Sequence, residues 1–94
     1  MDTNRMKLGL AHIFTVNESI SKQTKLQLIN FIEQANIHQL KVLAMDGQLV
    51  PKSQLDENAN QIIDDRYDSL DIDEIIKKAS VEGITKLVKA LNSK

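Results

Sequence analysis

The stretch SISKQTKLQLINFIEQA, residues 19–35, has the clearest helical pattern in the chain. Its large apolar residues return every three or four positions, the spacing that places side chains on one face of an α-helix. The residues of this face are Ile20, Thr24, Leu28, Phe31, Ile32 and Ala35. A helix is therefore predicted here, with Asn17, Ser19 and Ser21 as alternative N-caps, because their side-chain oxygens can accept hydrogen bonds from first-turn amides.

Two residues of the same stretch, Leu26 and Ile29, lie away from that face, so the predicted helix is apolar on two sides. A surface helix normally buries only one apolar stripe. A second apolar side indicates either a central position in a bundle or a surface that a partner covers. Leu26 and Ile29 are therefore candidate contacts to another protein or to a second copy of the chain.

Helix is also the default prediction for the rest of the chain, which has only three glycines and one proline to interrupt it. Residues 4–16 place several large apolar residues on one helical face. Met6, Leu8 and Leu10 also alternate as they would in a strand, and Gly9 weakens a helix by about 1 kcal/mol. A helix is favoured for this segment, with a strand as the alternative.

Residues 38–50 allow two interpretations. Asp46-Gly47 between two apolar runs is a signal for a type I′ turn, because both turn positions require positive φ, and it would give a small hairpin near 42–50. Alternatively, the apolar residues between 37 and 44 line one face of a short helix that ends with Gly47 in the left-handed conformation. Most of these residues are good helix formers, so the helix is favoured over the hairpin.

A further helix is predicted to open at Pro51 and Ser53, with an apolar face opposite a side of Asp, Glu, Asn and Gln. The residues of this face are Leu55, Ala59, Ile62, Ile63 and Leu70, with Tyr67 at its edge. After it, Asp71 and Glu74 have the spacing of a capping box. The acidic run of residues 64–74 is therefore explained largely by the start of the next helix, where negative charge is favourable.

Residues 72–92 contain two apolar stripes that do not align. The first stripe is Ile72, Ile75, Ile76 and Ala79, and the second is Ile84, Leu87, Val88 and Leu91. On a regular α-helix the two stripes point roughly 120° apart. Either one helix wraps around a neighbour or the helix breaks near Gly83, and two short helices at a bend are favoured.

Together these segments predict an all-α fold, a compact bundle of four to six short helices, with the small hairpin near 42–50 as a variant. A chain of 94 residues is too short for two independent cores, so one helical domain over 1–94 is expected. No stretch is apolar enough for a membrane span, the first residues make a poor secretory signal, and cysteine is absent. A cytoplasmic location without membrane contact is expected.

The charge distribution argues against nucleic acid as the main partner. Residues 1–52 carry six basic and four acidic side chains, and residues 53–94 carry six basic and nine acidic ones. Neither half has the dense basic stripe that binds a phosphate backbone, and three aromatic residues are too few for a base-stacking platform. A small helix-turn-helix-like DNA-binding regulator that uses Gln39 and Lys41 is the alternative function.

No sequence pattern indicates catalysis, a metal or a cofactor. The aspartates of residues 64–73 lack the glycine that an EF-hand calcium loop needs at its sixth position. His12 and His38 are the only histidines and fall in different segments. The three glycines do not cluster into a phosphate cradle. The chain is therefore not expected to be an enzyme, and no catalytic, cofactor-binding or metal-binding residue is predicted.

The leading prediction is a non-catalytic protein–protein interaction module with a regulatory or assembly role. Its partner is expected to be another protein or a second copy of the chain, which would make it a homo-oligomer. The predicted contacts are the apolar Leu26 and Ile29 and the acidic Asp64, Asp65 and Asp68. The acidic residues are included because a negative helix surface attracts a basic partner.

Overall fold

The computed structural model describes residues 2–93, in which all regular secondary structure is helical. The α-helical segments are α1 (Asp2–Thr15), α2 (Lys22–Gln34), α3 (Ile37–Asp46), α4 (Glu57–Arg66), α5 (Ile72–Lys78) and α6 (Ile84–Asn92). A 3₁₀ turn at Lys52–Gln54 precedes α4, and a π turn at Ala79–Gly83 joins α5 to α6. The predicted all-α class is confirmed, and α1 is a helix rather than a strand.

Polar residues in front of the helices satisfy their free first-turn amides. The Ser21 hydroxyl accepts such an amide hydrogen bond at 3.2 Å, which selects Ser21 among the three alternative N-caps. Asn36 and Gln39 form a complete capping box, in which each side chain accepts from the backbone amide of the other residue. The predicted cap at Asp71 is confirmed, since its carboxylate accepts from the Glu74 amide at 2.8 Å.

Residues 37–46 form a helix, so the hairpin alternative near 42–50 is wrong. Gly47 has φ 64° and ψ 32°, the left-handed conformation that commonly ends a helix and favours glycine. Its amide donates to the Leu43 carbonyl oxygen at 3.0 Å, which satisfies one of the last carbonyls of α3. A capping box at one end and a glycine at the other thus define the helix, and no strand occurs within residues 2–93.

Helix α4 begins later than predicted and buries a narrower face. Its N-cap is Asp56, whose carboxylate accepts a first-turn amide hydrogen bond at 2.8 Å, so the helix does not open at Pro51 or Ser53. Ile63 is buried as expected, but Ile62 is 59% exposed. The reason is that α4 packs chiefly against α3, and a helix with one main neighbour buries a single stripe.

The run from α5 to α6 is one continuous helix, which corrects the prediction of two helices at a bend. Ala79, Gly83 and Ile84 all have right-handed helical dihedral angles. The Ile84 amide donates to the Ala79 carbonyl oxygen, five residues back, so this turn holds one residue more than an α-turn. One extra residue rotates everything after it by about 100°, which nearly cancels the offset of roughly 120° between the two apolar stripes. Both stripes therefore face the core.

The buried side chains of α1, α2, α3 and the α5–α6 run form one apolar cluster. Its largest fully buried members are Met6, Leu10, Phe14, Leu28, Ile32, Leu40, Leu43 and Ile75. A smaller cluster of Val42, Ile63 and Tyr67 attaches α4 to α3. The Cα radius of gyration is 12.5 Å, close to the value of about 12 Å expected for a compact chain of this length.

The π turn and the end of α3 approach each other backbone to backbone. A β-carbon on Gly83 would overlap the Ala44 carbonyl group. A β-carbon on Gly47 would lie 2.6 Å from both the Gly83 carbonyl oxygen and the Leu87 amide nitrogen. Only glycine leaves this space free at both positions. The two glycines therefore set the distance between α3 and the α5–α6 run, along the most extensive contact that α3 makes.

Replacing Gly83 by Ala is expected to destabilise the protein by about 3 kcal/mol, at the upper end of overpacking costs, because the new β-carbon meets backbone that has no alternative rotamer. The matched control is Gly9→Ala, whose β-carbon meets side-chain atoms of Ile76, at 2.9–3.2 Å, which can shift more readily than backbone, and which also gains helix propensity. Urea unfolding followed by circular dichroism measures both variants. Equal midpoints for the two would contradict the close backbone contact.

Deleting Val81 is expected to leave the protein folded. Val81 is 66% exposed, so its removal costs little core contact. Because it lies in the π turn, which holds one residue more than an α-turn, its removal converts the π turn into an α-turn and keeps both apolar stripes aligned. Deleting the exposed Gln27 from the regular helix α2 is the control, because it rotates Leu28 and Ile32 out of the core by about 100°. Thermal melts should stay cooperative for the first deletion and lose cooperativity for the second. Loss of structure in both deletion variants would contradict the conclusion that the turn Ala79–Gly83 holds one extra residue.

Candidate functional site

The predicted contact residues lie on separate surfaces. On α2, Leu26 is 58% exposed, whereas Ile29 is partly buried. Asp65 on α4 and Asp68 just beyond its end are exposed, and Asp64 on α4 is partly exposed. Within residues 2–93, α2 and α4 make no extensive contact with each other. The apolar and acidic groups therefore belong to two helices that are not packed together.

The Asp64 carboxylate forms contacts with two side chains of the same chain. It lies 3.0 Å from Nε2 of His38 and 3.2 Å from Nζ of Lys41, both on α3. The hydrogen bond from His38, reinforced by Lys41, holds the pKa of Asp64 below its usual value, although burial opposes this shift. Asp65 also has an internal partner, because it accepts a hydrogen bond from Gln61 Nε2 at 2.9 Å. Part of the predicted acidic surface thus serves to hold α4 in place.

A second polar group joins α3 to its neighbours around Asp46. The Tyr67 hydroxyl donates to the Asp46 carboxylate at 3.3 Å, and burial raises the pKa of Tyr67. Arg66 and Lys86 place nitrogen atoms 3.9 and 3.8 Å from the same carboxylate. Lys86 also donates to the Met45 carbonyl oxygen at 3.1 Å, near the partially negative end of α3. These contacts connect α3 to the end of α4 and to α6.

The side chains of Gln39 and Lys41, on which the DNA-binding alternative depends, form hydrogen bonds with other residues of the chain. Gln39 is 4% exposed, and its side chain donates to the Val50 carbonyl oxygen at 3.0 Å besides completing the capping box. The Lys41 side chain is 18% exposed and is paired with Asp64. A recognition helix needs such side chains on its outer face to reach base edges. The geometry gives the DNA-binding alternative no support.

The two histidines lie in different surroundings. His38 is bound to Asp64, whereas His12 is exposed on α1. In the part of the chain that the structure describes, no group of three His, Cys, Asp or Glu side chains is arranged to hold a metal ion. His12 lies at the rim of a shallow surface groove rather than in a deep polar pocket.

This groove runs between the end of α1 and the start of α6, past the loop that leads to α2. It consists of two adjoining depressions, of about 260 and 380 Å³, that share Asn17 and Ile84. Its apolar lining is Ile13, Val16, Ile84 and Val88. Val16 is 61% exposed, so the rest of the described chain leaves this large apolar side chain largely uncovered. We name this surface the α1–α6 groove.

The polar residues around the α1–α6 groove are held by hydrogen bonds within the chain. Asn17 Oδ1 accepts from the Ser19 amide at 2.8 Å, which fixes the loop between α1 and α2. On the opposite wall, the hydroxyls of Ser80 and Thr85 donate to backbone carbonyl oxygens of their own helix at 2.7 and 2.6 Å. These hydrogen bonds hold the loop and the helical wall of the groove, which lowers the entropic cost of ordering these two parts when a partner binds.

The ionisable side chains that line the α1–α6 groove are His12 in one depression and Lys89 in the other. No carboxylate belongs to the lining, and Glu18 in the adjacent loop is exposed outside it. Neither His12 nor Lys89 forms an ion pair with any of residues 2–93. The groove is thus apolar with basic groups, on a chain whose net charge is −1.

The sequence prediction missed this groove. Ile84 and Val88 belong to a predicted apolar stripe, and Val88 is only partly buried. Val16 lies off the buried face of α1, just as Leu26 lies off that of α2. The criterion that selected Leu26 would therefore have selected Val16, if it had been applied to the first helix.

The chain matches no family model, no curated protein and no solved structure. Among the helices of residues 2–93, none combines the length and the apolar character that crossing a bilayer requires.

Replacing Asp64 by Asn is expected to lower stability at neutral pH and to have less effect in acid. Because the folded-state pKa of Asp64 is depressed, its contribution is present above the unfolded-state value of 3.8 and is lost as pH falls through the folded-state pKa. The effect at neutral pH is small, since the side chain is 45% exposed and solvent screens the pair.

Urea midpoints of the Asp64→Asn variant at neutral pH and in strong acid measure this difference. The exposed Asp68, replaced in the same way, is the control, and its substitution should shift the midpoint less at neutral pH. If the urea midpoints of the unmodified chain and of Asp64→Asn differ by the same amount at neutral pH and in strong acid, that result would contradict the assigned contacts with His38 and Lys41.

Proposed function

We propose that the chain is a non-catalytic protein-interaction module whose α1–α6 groove receives apolar side chains of a partner protein. The observation that carries this proposal is the uncovered Val16 beside a preformed apolar groove. Removing an apolar side chain of this kind from water contributes about 1.5–3 kcal/mol when burial is complete. The module would act as one domain with a regulatory or assembly role.

The π turn supports the same assignment. Turns of this kind are rare and occur frequently at functional sites. Here the turn supplies Ser80 to the lining and is followed directly by Ile84, which both depressions share. The irregular part of the α5–α6 run is thus also the part that forms a wall of the groove.

A competing surface is the one predicted from sequence, formed by Leu26 and Ile29 on α2 and by Asp68 beyond α4. Leu26 is 58% exposed and Val16 61%, and scattered exposed apolar residues are common on monomeric proteins, so exposure alone does not distinguish the two surfaces. The α1–α6 groove is preferred because it brings together four apolar side chains from two elements of the fold. Another protein is the preferred partner, and a second copy of the chain is the alternative.

Capture of partners from a cell extract by the immobilised chain tests the groove. Val16→Asp is expected to weaken groove-dependent binding at least about tenfold, or 1.4 kcal/mol, because a charge would have to enter an apolar contact. Leu8→Asp is the matched control, since Leu8 is 75% exposed on α1, the helix that ends just before Val16, and does not line the groove. Leu26→Asp reports on the competing surface.

If a partner still binds Val16→Asp but no longer binds Leu26→Asp, its binding site is the α2 surface, and the assignment to the α1–α6 groove is contradicted. Light scattering of the unmodified chain, compared with Val16→Asp, tests the alternative partner. A mass above that of the monomer that the substitution removes would identify a second copy of the chain as the occupant.

A further inference from the structure

We propose that the α1–α6 groove recognises an acidic apolar segment of another protein, in which carboxylates flank the apolar side chains that enter the groove. This inference rests on the proposed function and adds the chemistry of the partner. Charge complementarity carries it, because Lys89 of the lining is a cation, a ring N–H of His12 can donate a hydrogen bond to a carboxylate, and no carboxylate belongs to the lining. Complementary charges across an interface select partners and speed their encounter.

At the α1–α2 contact, Lys7 donates to the Glu33 carbonyl oxygen, whereas several basic side chains at other contacts between helices pair with acids of the same chain. These inter-helix pairs include Arg5 with Asp73, Lys41 with Asp64, and Arg66 and Lys86 with Asp46. At the α1–α6 groove, by contrast, no acid of residues 2–93 pairs with Lys89 or His12. A carboxylate from a partner would complete this contact in the way that internal acids complete the others.

The positions of the lining residues also set the order in which acidic and apolar side chains follow one another on the partner. His12 belongs to one depression and Lys89 to the other, whereas Ile84 is common to both. An occupant that buries apolar side chains against Ile84 and Val16 therefore has its flanks near the two basic residues. The hydroxyls of Ser80 and Thr85 already donate within the chain, so His12 and Lys89, together with the side chains of Asn17 and Ser19, are the polar groups that can set selectivity.

A selection of short random peptides displayed on phage tests the inference. The full chain is the target, and a parallel selection against Val16→Asp removes peptides that bind elsewhere. The expected Val16-dependent peptides carry Asp or Glu on both sides of an apolar centre. A synthetic copy should bind Lys89→Glu roughly three- to tenfold more weakly, and a copy with Lys in place of its acids should prefer Lys89→Glu.

Lys52→Glu is the matched control, because Lys52 is exposed and does not line the groove, and it should leave peptide affinity unchanged. Val16-dependent peptides that lack acidic residues, or that ignore Lys89→Glu, would overturn the acidic partner and leave the proposed function standing. Absence of any Val16-dependent peptide would overturn both. Val16 and Lys89 are exposed, and circular dichroism melts check that the substituted chains are folded.

Discussion

The close approach of Gly83 to the end of α3 constrains the rest of the structure. With no side chain between them, the backbone of the π turn rests against Ala44 and Gly47, and neither element can shift without a clash or a gap. The π turn contacts α1 and α3 and continues directly into α5 and α6. Its position on α3 therefore fixes where both halves of the α5–α6 run meet the core.

The proposed binding surface follows from that placement. The π turn brings Ser80 and Ile84 opposite the last turn of α1, where Ile13 and Val16 form the other wall. The α4 segment takes no part in this surface, because it is attached to α3 through a small apolar cluster and polar contacts around Asp64. The fold thus has a closely packed centre with a groove on one side and an appended helix.

Local signals in the sequence predicted most of the helices, whereas contacts between residues far apart in the chain could not be predicted from it. Ser21, Gly47 and Asp71 act as caps within their own segments, so the local sequence includes each of them among the candidates, although only the structure selects Ser21 from three alternative N-caps. The misaligned stripes of residues 72–92 revealed an irregularity, but a bend and an inserted residue explain such an offset equally well in sequence. The Asp64 contacts join residues 26 and 23 positions apart, and the groove needs both ends of the chain. One domain, the absence of catalysis and the cytoplasmic location stay predictions.

Nuclear Overhauser spectroscopy tests the central contact most directly, because it reports backbone protons that lie close together in solution. We expect cross-peaks from the Gly83 α-protons to the α-protons of Ala44 and Gly47, together with unbroken sequential amide contacts through residues 79–84. Absence of the cross-peaks to Ala44 and Gly47, or a gap in the amide contacts at Gly83, would contradict this expectation.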